Sequence, residues 1–200
     1  MQDLIDLEEL KSYLKITGDE DDDILSDLIS SISNWVEKYT NRKFYLIDHT
    51  TIPLKISGNG QDEMVIPDFA KIDKIEIYTE GGDIPSQTLD SSNLGKSWWY
   101  EPQDYNNLPG PINIISSNYN FNEGNWTIWI YGMQGYSSTV PAAVKQAIKE
   151  IAGQIYNKIG SESVTSETIG RVTISYSIDK AATLSPNALR LLDGYKRWGL

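Results

Sequence analysis

The spacing of apolar residues changes twice along this 200-residue chain, and that switch constrains the fold more than any single motif. Ile24, Leu25, Leu28, Ile29, Ile32, Trp35, Val36 and Tyr39 repeat with the 3.6-residue period of a helix for over four turns. The acid run Asp19–Asp23 stands at the start of that pattern, where the helix dipole favours negative charge. Before it, Leu7, Leu10 and Leu14 mark a shorter helix, with Asp6 and Glu9 spaced as a capping box. From about residue 45 the period becomes two. Ile52, Leu54 and Ile56 alternate up to Gly58-Asn59-Gly60, and Met64, Val65 and Ile66 follow, a pattern that predicts a hairpin. Ile75 and Ile77 lie in a further strand, and Trp126–Tyr131 reads as the last of this region. Residues 81–124, rich in Gly, Pro, Asn and Ser, predict long loops around short strands.

The helical period returns after residue 137. Pro141 suits a helix start, because its missing N–H has no partner there. Val144, Ala147, Ile148, Ile151, Ile155 and Ile159 then share one face, with Gly160 as the expected C-terminal cap. Residues 171–178 alternate as a strand, with Val172, Ile174, Tyr176 and Ile178 on one face and Thr173, Ser175 and Ser177 on the other. Ser185-Pro186 opens a short final helix through Leu189 and Leu192. The expectation is an α+β protein: a helical core from residues 1–44 and 137–200, with an inserted antiparallel β region at 45–136.

Composition removes whole classes of chemistry. There is no cysteine, so thiolate nucleophiles, disulfides and Cys-based zinc sites are excluded together. A single histidine, His49, leaves too few imidazoles for a histidine metal cluster, and no G-x-S-x-G elbow accompanies it. The acid run fails as a calcium loop. Counted from Asp19, the glycine position holds Ile24 and the bidentate-glutamate position holds Ser30. Gly95-Lys96-Ser97 lacks the opening glycine of a phosphate loop, since that position is Asp90. The reading is therefore of a protein that is not an enzyme and holds no cofactor or metal.

Formal charge is −11, which suits a surface that does not grip nucleic acid. No apolar run reaches the roughly 20 residues of a membrane span, and the acidic start is wrong for a signal peptide. Residues 1–40 carry 11 acids and 3 bases, whereas residues 136–200 carry 5 acids and 8 bases. Opposite charge at the two ends suits packing within one subunit or head-to-tail contact between copies. Ten of the 21 aromatic residues fall between 98 and 136. Strand parity puts Trp126 and Trp129 on opposite faces, so at least one is expected in the core. An aromatic cluster also supports an alternative, a carbohydrate-binding β module flanked by helices. A hydrolase using buried carboxylates is a third reading.

The order of these elements resembles the head–tail connector, or adaptor, proteins of tailed bacteriophages. Three stretches carry the resemblance: Leu7–Ile16 with Asp22–Leu25 and Ile32–Arg42; Ile130–Tyr136 followed by Val140–Ala147; and Ile169–Tyr176. It implies self-assembly into a ring, typically of twelve subunits, beneath the portal vertex of the virion. Such a ring extends the DNA channel and receives a stopper or tail-completion protein. The duplex would pass through it without sequence-specific binding, and the subunit would be made in the bacterial cytoplasm. The family has no catalytic residues to carry over. Two surfaces are expected to serve assembly. Arg190, Tyr195, Arg197 and Trp198 form a cationic, aromatic C-terminus of the composition common at binding hot spots. Arg171, Thr173, Ser175 and Ser177 form the polar face of an expected inter-subunit edge strand.

Overall fold

The computed structural model describes residues 2–101, 110–162 and 185–197, with side chains in the last helical turns described as far as residue 157. The expected strand at 171–178 lies outside the described residues, as does Trp198. The fold is α+β, and the described residues form seven strands in one antiparallel sheet with helices before and after it. Two compact units result. The chain up to Arg42 and again from Val140 forms the helical one, and Lys43–Thr139 forms the other.

In the helical unit, α1 (Leu7–Leu14) begins at Asp6, whose carboxylate accepts from the Glu9 amide at 2.7 Å. Glu9 reaches back to the Asp6 amide, completing the capping box. Lys145 and Lys149 of α3 (Ala142–Glu162) also pair with Glu9, so one carboxylate caps α1 and fastens it to α3. α2 (Asp22–Thr40) ends at Asn41, which adopts the left-handed conformation at φ +53°. Its buried face carries Leu25, Leu28, Ile29, Ile32 and Val36. Val144, Ala147, Ile148 and Ile151 of α3 are buried in the same unit, with Ala188 and Leu192 of α4 (Pro186–Asp193). Each large apolar side chain buried in this way contributes about 1.5–3 kcal/mol. Lys11 draws Asp19 and Asp22 onto α1 at 3.0 and 2.7 Å, so part of the acid run serves an internal ion pair. One expected cap moves: α3 continues through Gly160 to Glu162.

In the β unit, the long strand β7 (Gly124–Gln134) pairs on one side with β1 (Ile47–Asp48) and β2 (Leu54–Gly58). On its other side runs β3 (Glu63–Ile77), which also pairs with β4 (Gln87–Asp90) and β6 (Ile112–Ser117). β5 (Trp98–Glu101) adds to β6. The expected hairpin between β2 and β3 does not form. Both strands instead align their apolar residues on β7, with Leu54 and Ile75 each opposite Ile130. The start of β3 is taken by β6, with Met64 opposite Ile115. Gly58 donates to the Thr127 hydroxyl, and a Cβ there would collide with the Asn122 carbonyl. The Gly-Asn-Gly turn is thus a crossing between two neighbours of β7.

β3 keeps its length by breaking register where its sequence demands it. Pro67 has no N–H to donate, and the pairing with β6 shifts between Val65 and Phe69. Ile66, Phe69, Ile75, Ile77, Leu89, Trp98, Ile115, Phe121, Ile128 and Ile130 form the core of this unit.

Candidate assembly surfaces

The C-terminal segment is built from its cap upward. The Ser185 hydroxyl accepts from the Ala188 amide, and Pro186 occupies the first turn of α4, where no donor is needed. Asn187 and Ser185 donate to Glu150 of α3, as does Gln146. Burial alone would raise the Glu150 carboxyl, but these three donors outweigh it and hold it below the usual range. Beyond α4 the chain returns to the C-terminal end of α2. The Arg197 amide donates to the Thr40 carbonyl at 2.9 Å, and Arg42 Nε donates to the Tyr195 carbonyl at 2.6 Å. A helix end leaves carbonyls without internal partners, and here a distant segment satisfies one of them. Tyr39 donates to Asp193 at 2.6 Å, and Lys196 stands 4.5 Å from the centre of the Tyr39 ring. Burial, then the bond to Asp193, pushes the Tyr39 hydroxyl up to about 12.

Of the residues singled out for docking, Tyr195 and Arg197 therefore lie together against α2, both half-buried. Arg190 is on the exposed side of α4, 3.5 Å from the Asn187 side chain. Arg171, Thr173, Ser175 and Ser177 lie outside the described residues. His49 has a bonding role in the β unit, with Nδ1 3.1 Å from the Ile52 carbonyl and Nε2 2.9 Å from the Gln134 side chain.

The face of the sheet opposite the core carries a network that apolar periodicity does not reveal. Glu76 is 12 % exposed and accepts from Lys74 at 2.7 Å, Tyr78 at 2.9 Å and Tyr131 at 3.0 Å. Burial opposes ionisation of Glu76, yet the three donors prevail and its carboxyl stays below the usual range. Burial and the bond to Glu76 push Tyr78 up to about 12. Lys74 lies over the Tyr131 ring at 4.1 Å and Lys55 over Trp129 at 3.6 Å, while Tyr78 packs on Trp129 at 4.4 Å. The indole face of Trp129 is thus already occupied. Trp98 lies in the core and donates to the Asp90 carbonyl.

Trp126 is different. It is 68 % exposed and stands at φ +55°, a conformation that a bulky side chain adopts only under constraint. Its parity is lost as a result: Thr127 and Ile128 are both buried, and neither Trp126 nor Trp129 enters the core. That corrects the expectation that one of the two would.

The head completion protein family model matches residues 3–198, almost the whole chain. The chain belongs to this family. No curated protein matches it. Among solved structures, the fold is similar to a chain in the neck of an empty GTA particle computed with C6 symmetry. Identity there is 12 %, the TM-score is 0.56, and the match covers 98 % of this chain and 91 % of that one. A chain in the virion of a native gene transfer agent particle matches over the same shares, at 12 % identity and a TM-score of 0.52. The connector resemblance in the sequence and the family match agree. This head completion protein has a structural role at the completion of the phage head, and its family is not a class of enzymes. No helix among its described residues is long and apolar enough to cross a membrane.

Of two features of this head completion protein that apolar spacing misses, one had a readable signal and one did not. Lys74-Ile75-Glu76-Ile77-Tyr78 alternates polar with apolar, so the network is the second face of a strand identified by its first. The exposure of Trp126 had none, since it depends on one backbone angle.

Proposed function

We propose that this head completion protein is a non-catalytic subunit of a closed ring, of twelve copies, that sits on the portal vertex of the virion. The ring lengthens the channel through which genomic DNA leaves and receives a stopper or tail-completion protein on its far side. The match across residues 3–198 carries this reading, because it covers the helical segments and the sheet together. A ring of twelve is compatible with the sixfold symmetry of the similar neck. A formal charge of −11 supports a conduit that repels phosphate and lets the duplex slide. The segment with Arg190, Tyr195, Arg197 and Trp198 is assigned to the portal or the neighbouring subunit, and the stretch with Arg171, Thr173, Ser175 and Ser177 to an edge paired between copies.

Imaging tests the proposal directly. Purified chain mixed with the portal protein of the same phage should add a second ring, visible by negative stain, with twelve copies per portal by native mass spectrometry. A portal that gains no density under these conditions would overturn it.

A further inference from the structure

We infer that the end of the sheet around Trp126 is a docking surface for a different protein, one that offers an apolar pocket rimmed by lysine or arginine. Three connections converge at this end. The Asn122 side chain donates to the Tyr78 carbonyl and reaches Ser86, and the Tyr78 amide donates to the Thr127 carbonyl. The Phe121 amide donates to the Gln61 carbonyl, which draws the turn before β3 to the same place. Two large apolar side chains stand out from it: Trp126, and Ile84 at 80 % exposed.

The conformation that presents Trp126 is held by several bonds rather than left to chance. Trp129 Nε1 donates to the Trp126 carbonyl at 2.9 Å. The buried Thr127 hydroxyl donates to the Asn122 carbonyl at 2.6 Å and accepts from the Gly58 amide. A left-handed tryptophan carries a local backbone cost, and this cost falls on an indole that water, not protein, surrounds. Among the described residues the Trp126 indole itself makes no hydrogen bond or ring contact, so only the Trp126 carbonyl serves the fold.

Charge identifies the occupant. Asp62, Glu63, Glu80, Asp83 and Glu123 are exposed on these connections. Residues 57–70, 78–86 and 118–127 contain no lysine or arginine. A second copy docking by the same end would bring like charges together, and a nucleic acid would be repelled outright. A basic protein surface with a slot for an indole satisfies both features, and tryptophan is the side chain most enriched at such anchors.

Substitution by glycine separates docking from folding, because glycine adopts φ +55° freely and retains the carbonyl that Trp129 needs. The full-length Trp126→Gly protein should melt at the same temperature as wild type or higher. Supplied in place of the wild-type gene, it should lower the number of tailed, DNA-filled particles by about tenfold or more, as loss of one anchor would. Benzoylphenylalanine placed at position 126 should crosslink, in assembled particles, to a protein other than this chain. Adding Glu80→Lys and Glu123→Lys should weaken that crosslink. Normal particle counts with Trp126→Gly, or crosslinks only to a second copy, would overturn the inference. The particle assay rests on the head-completion role, so a strain lacking the gene is its control. Tailed particles in that strain would count against the role itself, while the crosslinked partner still decides the docking surface.

Discussion

Glu76 shows how one carboxylate can order a whole face of a sheet. Its three donors come from β3, from the residue just after β3, and from β7, so its ionised form joins the two strands through side chains as well as through the ladder. Its folded carboxyl lies below the ordinary value of 4.5. The contribution is therefore fully present above the unfolded value and is lost as pH falls through the lower folded one. Glu76→Gln should cost about 1–2 kcal/mol at neutral pH, since the bonds to a charged acceptor weaken but the shape is kept. The difference from wild type should shrink as the pH is lowered from neutral into the acid range, through the depressed folded value at which the wild-type carboxylate also protonates. Urea titrations of both proteins at neutral and at acid pH measure this. An equal gap at both would show that the charge of Glu76 contributes nothing.

At the scale of elements, β7 depends on Gly132. It stands at φ +151°, and a Cβ there would lie 2.2 Å from the Lys71 carbonyl oxygen, a backbone atom that cannot rotate away. Gly132→Ala should destabilise the protein by about 3 kcal/mol or more, combining overpacking with a strained conformation. Thermal melting of the purified variant checks this, and a midpoint within a degree or two of wild type would refute it. The same strand shows what sequence reasoning can reach. α2 was legible because eight apolar residues repeat at one period, and the starts of α1 and α4 carry ordinary capping chemistry in Asp6 and Ser185. The pairing of β2 was not legible, because Gly58-Asn59-Gly60 is compatible with a tight turn whichever strand becomes the neighbour. Only the tertiary fit of Leu54 and Ile56 to Ile130 and Ile128 decides it. The end of α3 was misjudged for a related reason, since a glycine near a helix end does not compel the chain to stop. For the C-terminal segment only the cationic, aromatic composition was legible. Its attachment to Thr40 and Arg42 was not, because those bonds use main-chain atoms that any residue supplies.

For the whole molecule, net charge sets the relation to DNA. Non-specific binders reach dissociation constants of about 10⁻⁴–10⁻⁶ M at physiological salt by releasing counterions, and a chain with 28 acids against 17 bases has little to release them with. A labelled 20-base-pair duplex should show no change in fluorescence anisotropy up to about 10 µM protein at that salt. Binding in the low micromolar range would contradict the proposed role as a channel that passes DNA freely. Charge says nothing about the order of synthesis, but the helical unit does. Its first part ends at Arg42 and its second begins at Val140. A ribosome adding about 5–20 residues each second therefore leaves Leu25, Ile29 and Val36 without α3 for roughly 5–20 s. During that wait the apolar stripe of the amphipathic α2 lacks its cover from α3. The segment Lys43–Thr139, by contrast, leaves the ribosome as one continuous stretch, so all the strands of its sheet are in hand before α3 is made.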